Sequence, residues 1–391
     1  MREMKDSGIE WIGEIPCDWK LERSQWHLEE VNISNNPIQT NNVLSLTNKL
    51  GVVPYEEKGN QGNKSKENVY EYKLAYPNTI VANSMNILIG SVGLCDYFGC
   101  VSPVYYVFRA KKYNNIKFLN YVFQTVGFQR ELRKYANGIL EIRLRVSSSD
   151  ILKRFIPFPS EIEQQRIAEI LDRECGKIDG LKADIQAQID TLEQYKRSVI
   201  TEAVTHGLNP SALMKDSGIP WVDEVPQKWD IRRVKYIAIC LKKGNGITKE
   251  DIVEDGDTLC IRYGEIYTKY NLSFFECATR TNKERISSKQ YFTQGDILFA
   301  GTGELIEEIG KNIVYLGTGD CLAGGDIIIL KHKQNARYLN YALNSECVQA
   351  QKSCNKAKLK VVHISAFEIG NIKIALPPLD EQQEIADYLD N

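Results

Sequence analysis

The 391-residue sequence contains no apolar run approaching the roughly 20 residues that a membrane-spanning helix needs. Its first residues, MREMKDSGIEW, are polar and carry no apolar signal core, so a cytoplasmic protein is expected. Ten cysteines are present without a C-x-x-C pair, and only four histidines accompany them (His27, His206, His332 and His363). Zinc ligation is therefore disfavoured, and reduced cysteines packed as small apolar side chains are expected. No G-x-x-x-x-G-K-[ST] phosphate cradle, H-E-x-x-H pair or G-x-S-x-G elbow occurs. Gly301-Thr302-Gly303 lacks the third glycine of a dinucleotide fingerprint and reads as a tight turn. The Asn- or Asp-Pro-Pro-aromatic signature of amino methyltransferases is also missing. Carboxylates are plentiful but scattered along amphipathic faces, where solvation explains them. No catalytic residue, metal ligand or cofactor site is assigned, although a centre built from dispersed residues stays open.

What is present is a repetition. Met4 to Arg23 reads MKDSGIEWIGEIPCDWKLER, and Met214 to Arg233 reads MKDSGIPWVDEVPQKWDIRR. Eleven of these twenty positions are identical, including both tryptophan pairs, Trp11/Trp221 and Trp19/Trp229, and the prolines Pro16/Pro226. A second echo sets Glu163-Gln164-Gln165-Arg166-Ile167-Ala168 against Glu381-Gln382-Gln383-Glu384-Ile385-Ala386. One unit is thus written twice, which suits a protein that grips two similar things at a fixed separation. Because both copies keep the tryptophans, these read as structural anchors.

Charge follows the same division. Residues 1–160 carry a net charge of +4, residues 161–210 a net of −4 and residues 211–376 a net of +3. Residues 377–391 hold five acids and no base. Two mildly basic blocks alternate with acidic segments, which permits nucleic-acid binding without requiring it.

Glu161 to His206 reads as a helix. Pro157 and Pro159 precede it, Ser160 suits its N-cap, and Gly207 and Pro210 end it. Within it Leu171, Ile178, Ile185, Leu192 and Val199 recur every seven residues, and Leu181, Ile189, Tyr195 and Ala203 widen the stripe. That period predicts a helix packed lengthwise against another, a rod of about 69 Å at ~1.5 Å per residue. The matching partner starts at Pro377-Pro378-Leu379-Asp380-Glu381, and the sequence stops at Asn391. Either a truncated form or a helix from a second molecule is expected to complete the pair.

The large blocks read as mixed α and β. Strands are expected at 78–81, 87–89, 103–108, 258–263, 296–299, 312–316 and 326–330. Short helices should begin near Phe118 and Tyr338. The fold class is α+β, with one recognition domain at 1–160, a spacer helix at 161–210, a second domain at 211–376 and a distal helix starting at 377.

The repeated KDSGI-x-W…P-x-x-W segments and the repeated E-Q-Q-x-I-A helix starts closely resemble the specificity subunit of type I restriction-modification systems. The resemblance covers almost the whole chain. It implies two target recognition domains, each reading one half of a split DNA site, and helices that pair antiparallel as a spacer. It further implies a subunit without catalysis of its own. Adenine methyltransferase subunits and endonuclease/translocase subunits would be its partners, and S-adenosylmethionine, ATP and magnesium would belong to them. A second specificity chain is a further possible partner. The competing readings are a protein–protein scaffold that no longer reads DNA and a methyltransferase–specificity fusion.

Residue types propose where DNA would be met. Asn63, Lys64 and Lys66 lie in a Gly/Asn-rich loop that offers amides to bases and ammonium groups to phosphates. Asn83 and Asn86 flank an expected turn. Arg143 and Arg145 alternate with Ile142 and Leu144, and so would share one face. In the second block Lys242, Lys243 and Asn245 look like a phosphate-contacting turn, Arg262 follows a strand, and Lys356, Lys358 and Lys360 alternate like the arginine pair. Solvated loops, hairpin turns and lysine-protected strand edges are the plainer explanations for the same residues.

Overall fold

A computed structural model describes the chain apart from residues 1, 48–50, 59–67, 112–113, 139–143, 220, 355 and 357–360. The chain divides into two units, Met1–Ala183 and Asp184–Asn391.

The first unit opens with a hairpin in which Met4–Asp6 pairs antiparallel with Glu14–Pro16. Lys20–Arg23 then pairs with Phe155–Phe158, so the start and the end of the block close on each other. Between them lies a four-stranded antiparallel sheet in the order Leu28–Glu30, Tyr105–Ala110, Thr79–Asn83 and Val92–Cys95. Ile80, Ala82 and Phe108 bury their side chains on one face against Phe118, Leu119, Phe123 and Phe128. These aromatic residues come from the helices Ile116–Gln124 and Val126–Arg133. Val81 and Val107 point the other way into a second cluster with Leu44, Leu46 and Val101. A strand buried on both faces reads as a continuous apolar run, as this one does.

The second unit repeats the plan. Its hairpin pairs Met214–Ile219 with Val222–Pro226, and Asp230–Arg233 closes on Lys373–Leu376. Its main sheet runs Ala238–Lys243, Ile327–His332, Ile297–Ala300 and Asn312–Tyr315, then adds Ser273–Phe274 parallel at the edge. The first four strands correspond in order to those of the first unit. The insertion between them differs: a second sheet of Thr279–Thr281, Thr258–Ile261, Cys321–Ala323 and Tyr291–Phe292 builds its own core around Cys260 and Leu322.

The long helix runs Glu161–His206 as expected. Ser160 Oγ accepts the Glu163 N–H at 3.4 Å at its start, and Gly207 stops it at φ +76°. Ala168 lies in the first unit's core, and Ile200, Ala203 and Val204 lie in the second's. Between these anchors Ile178, Leu181, Ile185, Ile189 and Leu192 stay 44–65% exposed. The other helix carrying the repeated motif, Leu379–Asp390, places Ile385 and Ala386 in the second unit's core.

Several expected strands shift. Residues 87–89 form a 3-10 turn instead, closed by Gly90 at φ +88°, with Ile87 buried and Ile89 exposed. Three apolar residues in a row could not distinguish these outcomes. The strand expected over 258–263 ends at Ile261, because Tyr263–Thr268 turns into a short helix. Thr302–Gly303 is a short strand paired with Val362–His363. Trp229 is fully buried and Trp19 donates to Glu163 at 2.9 Å, whereas Trp221 is largely exposed. Among the described residues no helix is long and apolar enough to cross a membrane.

Candidate nucleic-acid interface

In the first unit Asn83 ends the interior strand Thr79–Asn83. Its side chain is turned inward: Asn83 is buried, and its Oδ1 accepts the Met85 N–H at 3.0 Å. This Asx-type bond builds the turn. Asn86 is exposed beyond it. The turn is pinned by a distant segment, since Val146 N–H donates to Ser84 O at 3.1 Å. That bond sets the exposed Arg145 beside Met85, with Nη2 3.8 Å from Sδ. The structure therefore brings Arg145 against Met85, sixty residues away in the chain and next to Asn86. Asn63, Lys64, Lys66 and Arg143 lie outside the described residues.

In the second unit Lys242 and Lys243 end the strand Ala238–Lys243. Lys243 is not free: its ammonium pairs with Asp326 at 3.0 Å. Asn245 donates through Nδ2 to Ser288 O at 2.7 Å. Lys356 is likewise held, donating to His363 O at 2.7 Å and pairing with Glu368. That pairing keeps the Glu368 carboxyl below its usual range despite its partial burial. Lys358 and Lys360 lie outside the described residues.

Arg262 stands apart. It follows the strand Thr258–Ile261, and its backbone N–H donates to Glu265 Oε2 at 2.9 Å. Its Nε is buried without a partner. It faces a cavity of about 570 Å³ lined by Gly246, Lys249, Gly264, Gly324 and Gly325. Sequence reasoning reached Arg262 but not these glycines, whose meaning depends on segments that meet only in the fold.

One buried cation has no counterpart in the sequence reading. Lys352 is fully buried and donates to Gly310 O at 2.8 Å, Asn312 Oδ1 at 2.8 Å and Leu343 O at 2.7 Å. Burial pushes its pKa down to about 7. At the corresponding place of the first unit stands Leu132, also fully buried. Among the described residues no group of three or more His, Cys, Asp or Glu side chains could hold a metal ion.

Two copies of one α+β scaffold, alike in the order of their first four sheet strands, define a tandem architecture. The Type I restriction modification DNA specificity domain matches residues 27–191 and again 226–391, and the chain belongs to that family. It is similar to the specificity subunit of type I restriction enzyme MjaVIII from Methanocaldococcus jannaschii, with 25% identity over 246 residues, 60% of this chain and 54% of that protein. Against the StySPI specificity subunit from Salmonella potsdam, identity is 21% over 282 residues, 71% of this chain and 58% of that one. The matched part thus spans less than two thirds of these relatives. A solved structure described as the basis of complex assembly and conformational transition of the type I R-M system shares the fold. It has a TM-score of 0.67 at 16% identity, covering 96% of this chain and 90% of that one.

Proposed function

We propose that this chain supplies DNA sequence specificity to a type I restriction-modification complex and has no catalysis of its own. Each unit reads one half of a bipartite duplex site in the cytoplasm. The Glu161–His206 helix keeps the two readers in phase with the ~10.5 bp repeat of the duplex. Its exposed apolar stripe pairs with a matching helix, and its acidic surface receives methyltransferase subunits, since it does not compete for phosphate. Endonuclease/translocase subunits join through these. S-adenosylmethionine, ATP and magnesium act in the partner subunits.

The observation that carries this reading is the double occurrence of the specificity domain on one strand order with different exposed chemistry. Asn86 and Arg145 are exposed in the first unit, and the inserted sheet around Cys260 and Leu322 sets the second apart. Two identical readers would select two like half-sites, whereas divergent ones select two different half-sites.

The test is selection of duplexes from a random library by the full chain together with its cognate methyltransferase subunit. Two unlike short motifs at a constant spacing are expected. Recovery of no motif, with the complex intact, would sink the reading in favour of a plain protein scaffold. Methyl transfer by the chain alone with S-adenosylmethionine would overturn the non-catalytic assignment.

A further inference from the structure

The geometry points to the Arg262 cavity as an anchor for one backbone phosphate of duplex DNA. This rests on the DNA-reading function proposed above and assigns part of it to named atoms.

Beside the cavity-lining Gly246, Gly324 and Gly325, chain segments meet backbone to backbone. Gly244 N–H donates to Ile327 O at 2.7 Å, Asn245 N–H to Ala323 O at 3.1 Å and Gly324 N–H to Ile261 O at 2.9 Å. These bonds draw three chain segments so close that side chains are excluded. A Cβ on Gly244 would lie 2.2 Å from Gly324 O, and one on Gly325 would lie 3.2 Å from the Gly246 Cα. A Cβ on Gly324 would lie 3.4 Å from the Arg262 Cα and 3.7 Å from its Cγ. The glycines therefore hold the Arg262 stem against backbone and leave the space before it open. Gly246 and Gly264 have nothing within 4 Å of where a side chain would begin.

Charge accounting isolates the guanidinium. Two carboxylates line the cavity, and both are engaged. Glu265 accepts from Lys269 Nζ at 2.7 Å, from Thr279 Oγ1 at 2.9 Å and from the Arg262 backbone N–H at 2.9 Å. Asp326 holds Lys243 at 3.0 Å. Among the described residues, no acceptor meets the Arg262 side chain, and Lys249 at the rim has no ion-pair partner either. A guanidinium fork that meets no acceptor among the described residues, lining a recess partly kept open by glycines, is matched by a tetrahedral oxyanion. A recessed donor is reached by a group that protrudes. Phosphates project from a duplex, whereas base edges lie inside its grooves. The occupant is thus a phosphodiester, which contributes affinity and register without reading sequence.

The anchor is tested by the salt dependence of duplex binding, read by fluorescence anisotropy with the full chain and its methyltransferase partner. The parent is compared with Arg262→Ala and Arg262→Lys between 50 and 200 mM NaCl. Loss of one phosphate contact lowers the slope of log K against log[salt] by about 0.9. The affinity ratio of parent to Arg262→Ala should therefore shrink about threefold across that range. Arg262→Lys should keep the parental slope with weaker binding, which also guards against a folding defect. The motif selected from a random library should be the same in all three. An unchanged slope in Arg262→Ala overturns the anchor, and loss of one motif position reassigns Arg262 to base reading. Should the parent bind no duplex, the proposed function falls separately. The cavity is then judged by 31P line broadening of inorganic phosphate: broadening by the parent and not by Arg262→Ala upholds an anion site, and no broadening by the parent rejects it.

Discussion

Gln164 and Gln382 do the same work in the two halves of the chain. Each is buried in the first turn of its helix, and each Oε1 accepts, at 3.0 Å, the backbone N–H of an asparagine that caps another helix: Asn115 for Gln164 and Asn335 for Gln382. The amide nitrogens donate back to Pro159 O at 3.1 Å and Pro377 O at 2.8 Å. The adjacent Gln165 and Gln383 take the Nδ2 groups of the same asparagines. The repeated E-Q-Q motif is therefore a latch between the proline-led helix start and the short helix of its own domain.

Truncating the latch should destabilise one domain. Gln382→Ala leaves the Asn335 N–H and Pro377 O unsatisfied in the interior, at a cost of about 1–3 kcal/mol. Gln383→Ala, at an exposed position, should cost under about 0.5 kcal/mol. Urea denaturation of the two variants checks this, and equal losses would contradict the latch.

Lys352 should give the second domain a distinctive pH response. Its folded pKa lies near 7, below the ordinary lysine value, so between about pH 7 and 10.5 the unfolded chain binds more protons than the folded one. Its contribution to stability therefore grows as pH rises through that window and is lost as pH falls through 7. Urea midpoints of the parent and Lys352→Met at pH 7 and 9 should differ in the parent's favour at pH 9. Parallel pH profiles would show that the ammonium is retained throughout.

The ion pairs at corresponding places on the helix starts should matter little. Lys117 meets Asp172 at 2.7 Å, and Arg337 meets Asp390, with all four side chains partly open to solvent. Lys117→Ala should cost under about 1 kcal/mol, vanishing at high salt. A larger, salt-independent loss of thermal stability would refute this.

The exposed stripe of the long helix separates stability from assembly. Ile178, Ile185 and Leu192 are more than half exposed, so replacing each with glutamine should change the chain's own stability by only about 0.5 kcal/mol per site. Helix pairing, read as self-association of the full chain by sedimentation, should nevertheless be lost. Unchanged self-association of the triple variant would remove the stripe from helix pairing.

Legibility was uneven for physical reasons. The long helix was readable from local signals alone: a serine cap, a seven-residue period and a terminal glycine. The helices after Asn115 and Asn335 were readable from their own amphipathic pattern. The turn at 87–89 was not, because Ile-Leu-Ile suits a strand and a buried turn equally and Gly90 decides between them. Nor could Asn83 be placed, since its side chain serves the turn and not the surface.

The sequence by itself established the duplication, the helix between the copies and the family to which they point. Each of these rests on identity or periodicity along the chain. Only the tertiary structure decided which polar groups are spent and which are left over. Lys243 is paired with Asp326, far away in sequence, and Lys356 with Glu368, whereas the Arg262 Nε has no partner beside glycines from two other segments. Whether a charge is available depends on what the fold carries to within a few ångströms of it, and linear order does not contain that.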